Sequence, residues 1–359
     1  MKKIYFTPGP TELYPAVHDA VRDALDNHVC SINHRSSEFN EIYKSADSGL
    51  RQLMGIPDGH RILFLSSATE CMDRLIQNCV EKNSHHFVNG AFAERFYRTS
   101  TELGRNATVT MAEHGCGFDF DGGLSFPEAE MICVTQNETS SGVAVPMQNI
   151  YKLKQTNPDA LLAVDIVTSA PYILPDFSMI DAAFFSVQKG FGMPAGLGVL
   201  IANERTLERA RTLKVRGTNI GSFHNLPTLF EYAEKFQNPE TPNVLGIYLL
   251  GRVCEHLNEY GAERMRTETE EKAAELYNAI ENCANLEPLV KNPADRSMTI
   301  IIADAGEKQR EIKAELLNNG YVVGSGYGKF KEREIRIANF PMHKLEDVSA
   351  ISEILNKRT

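Results

Sequence analysis

The sequence predicts an α/β protein: a large domain with a mostly parallel sheet, then a smaller α+β domain. Three observations support this fold class. Between residues 60 and 202, short apolar runs alternate with helical patterns, which is typical of a parallel sheet covered on both faces. A Pro- and Asn-rich junction, FQNPETPN, occupies residues 236–243. After it, helices and strands follow in a different order.

The predicted large domain, residues 13–243, contains six strand patterns and at least two clear helices. The strands are RILFL (61–65), HHFV (85–88), MICVT (131–135), LLAVD (161–165), AAFFSV (182–187) and GLGVLIAN (196–203). Helical patterns cover TECMDRLIQNC (69–79) and AFAERFYRTSTEL (91–103). Each of the first five strands ends in polar or glycine residues.

The predicted small domain, residues 244–359, begins with a helical pattern over 244–283 that breaks near Tyr260-Gly261. The strands and helices that follow it are MTIIIAD (298–304), EKQREIKAELLNN (307–319), YVV (321–323), EIRIANF (334–340) and LEDVSAISEILNK (345–357). Residues 1–12 have an extended pattern that is compatible with crossing to this domain.

Composition excludes several functional classes. The 37 Lys and Arg against 47 Asp and Glu give a net charge of −10, which argues against nucleic acid or an anionic membrane as partner. No segment reaches the roughly eighteen apolar residues of a membrane helix, and no signal peptide is recognised. The seven cysteines have no metal-ligand spacing, so we expect free thiols in the cytoplasm and no metal site.

Asp165 and Lys189 directly follow two neighbouring strands of the predicted sheet. Ligands of open parallel sheets bind beyond these carboxyl ends, and neighbouring strands are ~4.8 Å apart. A pyridine ring there meets a carboxylate at one edge and an amine near the other, the pairing that pyridoxal phosphate requires. The alternative is that Asp165 caps a turn and Lys189 reaches solvent.

Other strand ends carry groups that suit the same cofactor. In LSSATECM (65–72) the start of a helix presents free N–H groups to a phosphate, although a plain Ser/Thr helix cap looks the same. Phe92 lies where it can stack on a flat ring or join the helix core. In TQNETSSGV (135–143), Thr139 can bind the phenolic oxygen of the ring, and Gly142 permits a tight bend.

Three side chains that carry a positive charge or can gain one are candidates for substrate binding. INHRSSEF (32–39) places His34 and Arg35 in a polar turn. Arg336 lies between isoleucines of a strand, where an unpaired guanidinium is costly, so it should meet a carboxylate. The spacing leaves open whether that carboxylate belongs to the substrate or to the protein.

Taken in order, the motifs FTPGPT, NHRSSEF, SSATE, QNETSSG, AVDIVTS and SVQKGFGMPAG resemble the class V aminotransferases of fold type I. The resemblance spans nearly the whole chain and points to the phosphoserine and the alanine–glyoxylate/serine–pyruvate branches. It implies a homodimer with shared active sites and a ping-pong reaction through pyridoxamine phosphate. The cofactor is therefore expected to be pyridoxal 5′-phosphate.

The same resemblance assigns roles to individual residues. Lys189 is implied as the Schiff-base lysine and Asp165 as the partner of the ring nitrogen; both are expected to be catalytic. The remaining implied contacts are Ser67, Ala68, Thr69 and Gln188 with the cofactor phosphate, Phe92 stacking on the ring, Thr139 with the phenolic oxygen, Thr241 entering the phosphate site of the partner subunit, and Arg336 with the substrate carboxylate.

Some positions depart from the phosphoserine branch. Its stacking tryptophan is Phe92 here, and the residue before Thr241 is Glu240. Its His-Arg pair for the substrate phosphate is absent from GYGKFKEREIR (326–336), where Lys329, Lys331 and Arg333 are the available cations. We favour phosphoserine:2-oxoglutarate transamination in serine biosynthesis, with QNETSSG as support and His34, Arg35 and Lys329 as replacement cations.

Alternatives remain open. Within the family, an alanine or serine aminotransferase that uses glyoxylate or pyruvate fits the same motifs, as does a non-catalytic member. A cysteine desulfurase is disfavoured because no cysteine follows Cys283. A nucleotide-binding module is disfavoured because neither GSGYGKF (324–330) nor GFGMPAGLG (190–198) ends in G-K-[ST].

Overall fold

The computed structural model describes residues 3–357 and contains two main sheets surrounded by helices. The helices are α1 (Pro15–Asp26), α2 (Ser37–Met54), α3 (Ala68–Cys79), α4 (Ala91–Glu102), α5 (Met147–Thr156), α6 (Glu204–Val215), α7 (Leu226–Ala233), α8 (Val244–Tyr260), α9 (Ala262–Asn282), α10 (Gln309–Asn318) and α11 (Leu345–Asn356). The strands are β1 (Ile4–Phe6), β2 (His60–Leu65), β3 (Asn83–Val88), β4 (Asn106–Met111), β5 (Met131–Thr135), β6 (Asn137–Glu138), β7 (Val143–Ala144), β8 (Leu161–Asp165), β9 (Ala182–Ser186), β10 (Gly198–Asn203), β11 (Glu287–Pro288), β12 (Ile300–Asp304), β13 (Tyr321–Ser325) and β14 (Glu334–Ala338).

The larger sheet has seven strands in the order β2-β10-β9-β8-β5-β3-β4. The pairs from β9 to β4 are parallel, and β10 runs antiparallel between β2 and β9. The predicted class, α/β with a mostly parallel large sheet, is confirmed. Strand β4 was not predicted, because NATVTM is a mostly exposed edge strand without a continuous apolar run.

The smaller sheet has the order β1-β13-β14-β12-β11. Its first strand comes from the N-terminus and runs parallel to β13, and Phe6 packs into the core of this sheet. The predicted division between residues 243 and 244 stays a prediction. Helix α8, on the far side of that division, contributes its buried side chains to the larger core.

Local sequence explains where the long helices begin and end. Asn243, the last residue of the polar junction, caps α8 by accepting a hydrogen bond from the Gly246 N–H at 2.8 Å. The predicted break lies at Gly261, whose φ of 99° separates α8 from α9. Within residues 3–357, no helix combines the length and apolar character that crossing a membrane requires.

Candidate active site

Lys189 lies in the turn after β9, at the end of the sheet where the parallel strands finish. The residue is 8% exposed, and its Nζ donates a hydrogen bond to the main-chain oxygen of Pro8 at 2.9 Å. Gly9 has a φ of 132°, which favours glycine, and a Cβ there would lie 2.3 Å from Lys189 Cδ, so the N-terminal segment covers the side chain at close range. Burial, together with the charge of Arg336, lowers the pKa of Lys189 to about 8. A fraction of the amine is therefore unprotonated and nucleophilic near neutral pH.

Asp165 ends β8, which pairs in parallel with β9 so that Asp165 lies opposite Phe184. Its side chain is buried, and Oδ1 accepts a hydrogen bond from the Val167 N–H at 2.8 Å. Burial raises the pKa of Asp165 to about 7, while the charge of Lys189 acts in the opposite direction. A cation bound beside this carboxyl group would favour its ionised form. The structure brings Asp165 and Lys189 to the same end of the sheet.

Thr139 lies in the buried turn between β6 and β7. Its hydroxyl donates to Thr168 Oγ1 at 3.1 Å, and Thr168 in turn donates to the main-chain oxygen of Asn137 at 2.9 Å. Gly142 has a φ of 70°, and a Cβ there would lie 2.9 Å from Ile302 Cγ1 on β12. The turn is therefore held against both sheets, with the Thr139 hydroxyl in a hydrogen-bond network.

Phe92 begins helix α4, with its ring centre 5.7 Å from Lys189 Nζ. The buried carboxylate of Glu138 accepts hydrogen bonds from the N–H groups of Phe92 at 3.1 Å and Ala93 at 2.8 Å. A carboxylate at a helix N-terminus is electrostatically favourable. Glu138 belongs to the QNETSSG motif, but the sequence did not reveal its role. Its side chain fixes the start of the helix that carries the Phe92 ring.

The N-terminus of α3 forms a turn beside the end of β9. Ser67 caps the helix by accepting a hydrogen bond from the Glu70 N–H at 3.1 Å, and the Ala68 N–H donates to Ser186 Oγ at 2.7 Å. Thr69 is exposed, and its N–H and hydroxyl donate to no group among residues 3–357. A Cβ on Gly198 would lie 2.4 Å from the Ser67 carbonyl carbon, so β10 packs directly on this turn.

These residues fit pyridoxal phosphate. Gln188 precedes Lys189 in the turn after β9, the strand whose Ser186 contacts the α3 turn. Its side-chain oxygen is buried and has no hydrogen-bond partner among the described residues. The first turn of a twelve-residue helix suits a phosphate group, and the side-chain NH2 of Gln188 is a donor that can reach the same group. The buried amine, the buried carboxyl group and the ring of Phe92 suit the pyridine aldehyde.

Arg336 on β14 faces the same region from the smaller sheet. Its Nε donates to the main-chain oxygen of Ser325 at 2.7 Å, and Nη1 donates to that of Thr139 at 3.2 Å. Within residues 3–357 it forms no ion pair, and the carboxylate that the sequence predicts for it stays a prediction. Burial lowers the pKa of Arg336. The guanidinium remains available for an anionic substrate group.

The glycine-rich loop before β14 contributes Tyr327 to the mouth of the site. Its ring centre lies 5.6 Å from that of Phe92, and the Arg336 guanidinium lies 5.7 Å from it. Lys329 is exposed, with its ammonium 5.1 Å from the centre of the Phe330 ring. Lys329 thus lies two residues after Tyr327, whose ring faces both Phe92 and Arg336.

The turn at His34 and Arg35 lies beside the 237–241 segment rather than beside Lys189. The guanidinium of Arg35 donates to the main-chain oxygens of Asn238 at 2.5 Å and Pro239 at 2.7 Å. His34 Nδ1 lies 3.4 Å from Thr241 Oγ1. Among residues 3–357, none of the hydrogen bonds or ion pairs of His34, Arg35 and Thr241 reaches Lys189 or Asp165.

Glu240, which the sequence left without a clear role, contacts His224. Its Oε2 lies 2.8 Å from Nε2 of His224, whose Nδ1 lies 2.6 Å from Oε1 of Glu70. Glu240 therefore faces His224. Sequence reasoning missed His224, since a single histidine in GSFHN carries no motif. No group of residues that could hold a metal ion occurs among residues 3–357.

At one end of the parallel sheet the structure thus brings together groups whose chemistry fits a pyridoxal-phosphate-dependent transferase. The model of the family described as aminotransferase class-V matches residues 4–328. The chain belongs to this family and is a pyridoxal-phosphate-dependent aminotransferase.

Similar proteins cover the whole chain. A phosphoserine aminotransferase structure from Cytophaga hutchinsonii is 46% identical, with a TM-score of 0.97 and 99% of each chain covered. A phosphoserine aminotransferase of a Nocardioides species is 26% identical over 98% of this chain and 94% of its own. A PLP-bound phosphoserine aminotransferase structure from Trichomonas vaginalis, 18% identical, shares the fold at a TM-score of 0.76 over 99% of each chain.

Proposed function

We propose that this aminotransferase acts on phosphoserine and 2-oxoglutarate, in serine biosynthesis. The observation that carries the proposal is the full-length similarity, 46% identity at a TM-score of 0.97, to the phosphoserine aminotransferase of C. hutchinsonii. The Arg336 guanidinium, free of protein carboxylates within residues 3–357, supports the binding of an acidic substrate beside Lys189.

Pyridoxal phosphate, when bound, supplies an aldehyde that links to amines and a protonated ring that withdraws electrons from the substrate. In the proposed mechanism, Lys189 holds the cofactor through its amine between turnovers. With the substrate bound, the Lys189 amine would hold or move the proton at the substrate Cα, a task suited to a group with a pKa of about 8. Asp165 keeps a proton on the ring nitrogen.

The remaining cofactor contacts position the ring. We assign stacking to Phe92, the phenolic oxygen to Thr139, and the phosphate to the turn of Ser67, Ala68 and Thr69 together with Gln188. Glu138 supports this arrangement indirectly, because its hydrogen bonds hold the first turn of α4 and hence the Phe92 ring.

At the substrate, Arg336 binds the α-carboxylate and Lys329 approaches the phosphate from the mouth of the site. A phosphate carries nearly two negative charges, so an ammonium group is a favourable partner. His34 and Arg35 complete the phosphate site from a partner subunit. Because Arg35 already donates to two main-chain oxygens, the proposal gives more weight to Lys329 and His34.

The shared site implies a homodimer, which we also propose, in the cytoplasm. His34, which is half-buried, and Thr241, which is exposed, lie side by side, and the proposal assigns both to the site of the partner subunit. Light scattering coupled to size exclusion should give a mass near twice 40.0 kDa. A monomer that is fully active would contradict the shared site.

A panel of amino donors and oxo-acid acceptors tests the substrate. We expect a higher kcat/KM for phosphoserine with 2-oxoglutarate than for alanine or serine with glyoxylate or pyruvate. The reverse order would favour the second candidate, an alanine or serine aminotransferase, for which the missing His-Arg pair in GYGKFKEREIR is the supporting observation.

Lys329→Ala tests the replacement cation directly. The variant should raise KM for phosphoserine about tenfold, the usual order for one charge-assisted hydrogen bond, and leave KM for alanine unchanged. Lys331→Ala, two residues along the same exposed segment, is the control. An equal effect of Lys329→Ala on both substrates would remove Lys329 from the phosphate site.

A further inference from the structure

Three charged side chains from separate parts of the chain meet behind the α3 turn. Glu70 lies in the first turn of α3, His224 in the loop before α7, and Glu240 in the junction before α8. His224 is 4% exposed and lies 2.6 Å from one carboxylate and 2.8 Å from the other. Its φ of 51°, unusual for a residue with a side chain, places the ring between them.

Glu70 shapes the turn that leads into the proposed phosphate site. Its Oε2 accepts hydrogen bonds from the Ser66 N–H at 2.8 Å and from the Ser66 hydroxyl at 2.6 Å. The same carboxylate brings a negative charge into the first turn of the helix, where a phosphate with nearly two negative charges is expected. Uncompensated, that charge would repel the ligand whose site it shapes.

We propose that His224 is a positioning residue for the cofactor phosphate: its imidazolium, held between Glu70 and Glu240, offsets the charge of Glu70, so that the turn of Ser66–Thr69 stays both ordered and receptive to a phosphate dianion. Glu240 serves to keep His224 protonated. This inference depends on the assignment of the phosphate to Ser67, Ala68 and Thr69 in the proposed function.

The electrostatic surroundings of His224 agree with this role. Burial alone would lower its pKa, but the adjacent carboxylates of Glu240 and Glu70 outweigh burial and raise the pKa of His224 to about 9. For Glu70, burial alone would raise the pKa, but its hydrogen bonds with His224 and Ser66 lower the pKa to about 2. Arg74, one turn further along α3, approaches the same loop and donates to the main-chain oxygen of Phe223 at 3.5 Å.

The test compares two probes, pyridoxal phosphate and pyridoxal, which lacks the phosphate, by absorbance titration of the apoenzyme. At pH 7.5, His224→Gln should weaken the binding of pyridoxal phosphate at least tenfold and change the affinity for pyridoxal less than twofold. Glu70→Gln combined with His224→Gln should recover part of that loss, because the charge that His224 offsets is then absent. An equal loss for both probes, or no loss for either, would overturn the inference.

Glu240→Gln provides a second test that depends on pH. With one carboxylate fewer, His224 should lose its proton at lower pH than in the wild type, so the preference for pyridoxal phosphate over pyridoxal should begin to decline at lower pH. The ratio of the two affinities cancels the titration of Lys189. A pH profile of this ratio identical to that of the wild type would contradict the role of Glu240, even if His224→Gln fails to fold.

Ser67→Ala separates this inference from the assignment on which it depends. If Ser67→Ala selectively weakens the binding of pyridoxal phosphate relative to pyridoxal and His224→Gln does not, the assignment of the phosphate turn is supported and the inference is wrong. If neither variant affects pyridoxal phosphate, both are wrong. Selective weakening by both supports both.

Discussion

Lys189 and Lys272 are two buried lysines with similar electrostatics and different surroundings. Lys272 is 3% exposed, and its Nζ donates to the main-chain oxygens of Phe340 at 3.2 Å and His343 at 2.8 Å. Burial lowers its pKa to about 8, as it does for Lys189. Burial and a lowered pKa therefore do not by themselves identify a reactive lysine.

The difference lies in what surrounds each amine. Lys272 lies within helix α9, where two carbonyl oxygens hold its ammonium between α9 and the segment after β14. Lys189 has one such contact, stands beyond a strand end, and shares its surroundings with Asp165 and Arg336. We infer that Lys272 is structural and Lys189 reactive, and the following predictions test that contrast.

The largest effect is expected from replacing each lysine. Lys189→Ala should reduce kcat roughly 10⁴-fold, because the proton transfer at Cα loses its acid–base group. Lys272→Met should leave kcat within about threefold once folded protein is compared. Borohydride reduction followed by peptide mass spectrometry should place the cofactor on the peptide of Lys189. Label on Lys272 would reverse the comparison.

The next effect concerns the carboxyl group beside Lys189. Asp165→Asn should lower kcat roughly 10²- to 10³-fold, since an amide cannot stabilise a protonated ring nitrogen. Asp181→Asn is the matched control, because Asp181 is equally buried but pairs with Lys154 at 2.6 Å and Arg205 at 3.1 Å. That control should lose thermal stability and keep its kcat. Equal kcat losses in both variants would argue that Asp165 is also only structural.

A smaller effect is expected at Arg336. Arg336→Gln should raise KM for both amino donor and oxo acid roughly 10- to 100-fold, the order of a lost charge-assisted interaction, with little change in cofactor affinity. Arg296→Gln is the control, because Arg296 pairs with Glu281 at 2.7 Å. An unchanged KM in steady-state assays of Arg336→Gln would place the substrate carboxylate elsewhere.

The smallest effect is the pH dependence of stability at Lys272. Its folded pKa of about 8 is below the ordinary lysine pKa of 10.5 in the unfolded chain, so between these values the unfolded chain binds the extra proton and the free energy of unfolding rises with pH. Relative to Lys272→Met, the wild type should gain about 1 kcal/mol per pH unit in this window and nothing below it. Urea titrations from pH 7 to 10 measure this difference, with exposed Lys214→Met as control. A constant difference would show that Lys272 titrates normally.

Much of the fold and part of the site follow from patterns along the chain. Apolar runs identified six of the seven strands of the larger sheet and all three longer strands of the C-terminal region, because buried strands of such a sheet have no polar face. Asp165 and Lys189 were found because polar residues after such runs converge at one end of the sheet. The edge strand β4 was missed because its mostly exposed sequence alternates.

Other features depend on contacts between distant segments, which no local pattern encodes. Lys272 belongs to EEKAAEL, which looks like an exposed helix face, yet the segment after β14 covers its amine. Glu70, His224 and Glu240 meet only because α3, one loop and the junction before α8 pack together.

The order of apolar and polar residues by itself determined the fold class and the strand ends, because a buried parallel sheet requires continuous apolar runs. It also determined which lysine and which carboxyl group lie at those ends. Which charges are compensated, and where Arg35 and Glu240 point, was decided by tertiary packing alone. The reason is physical: a charge responds to everything within a few ångströms of it, and most of those neighbours are far away along the chain.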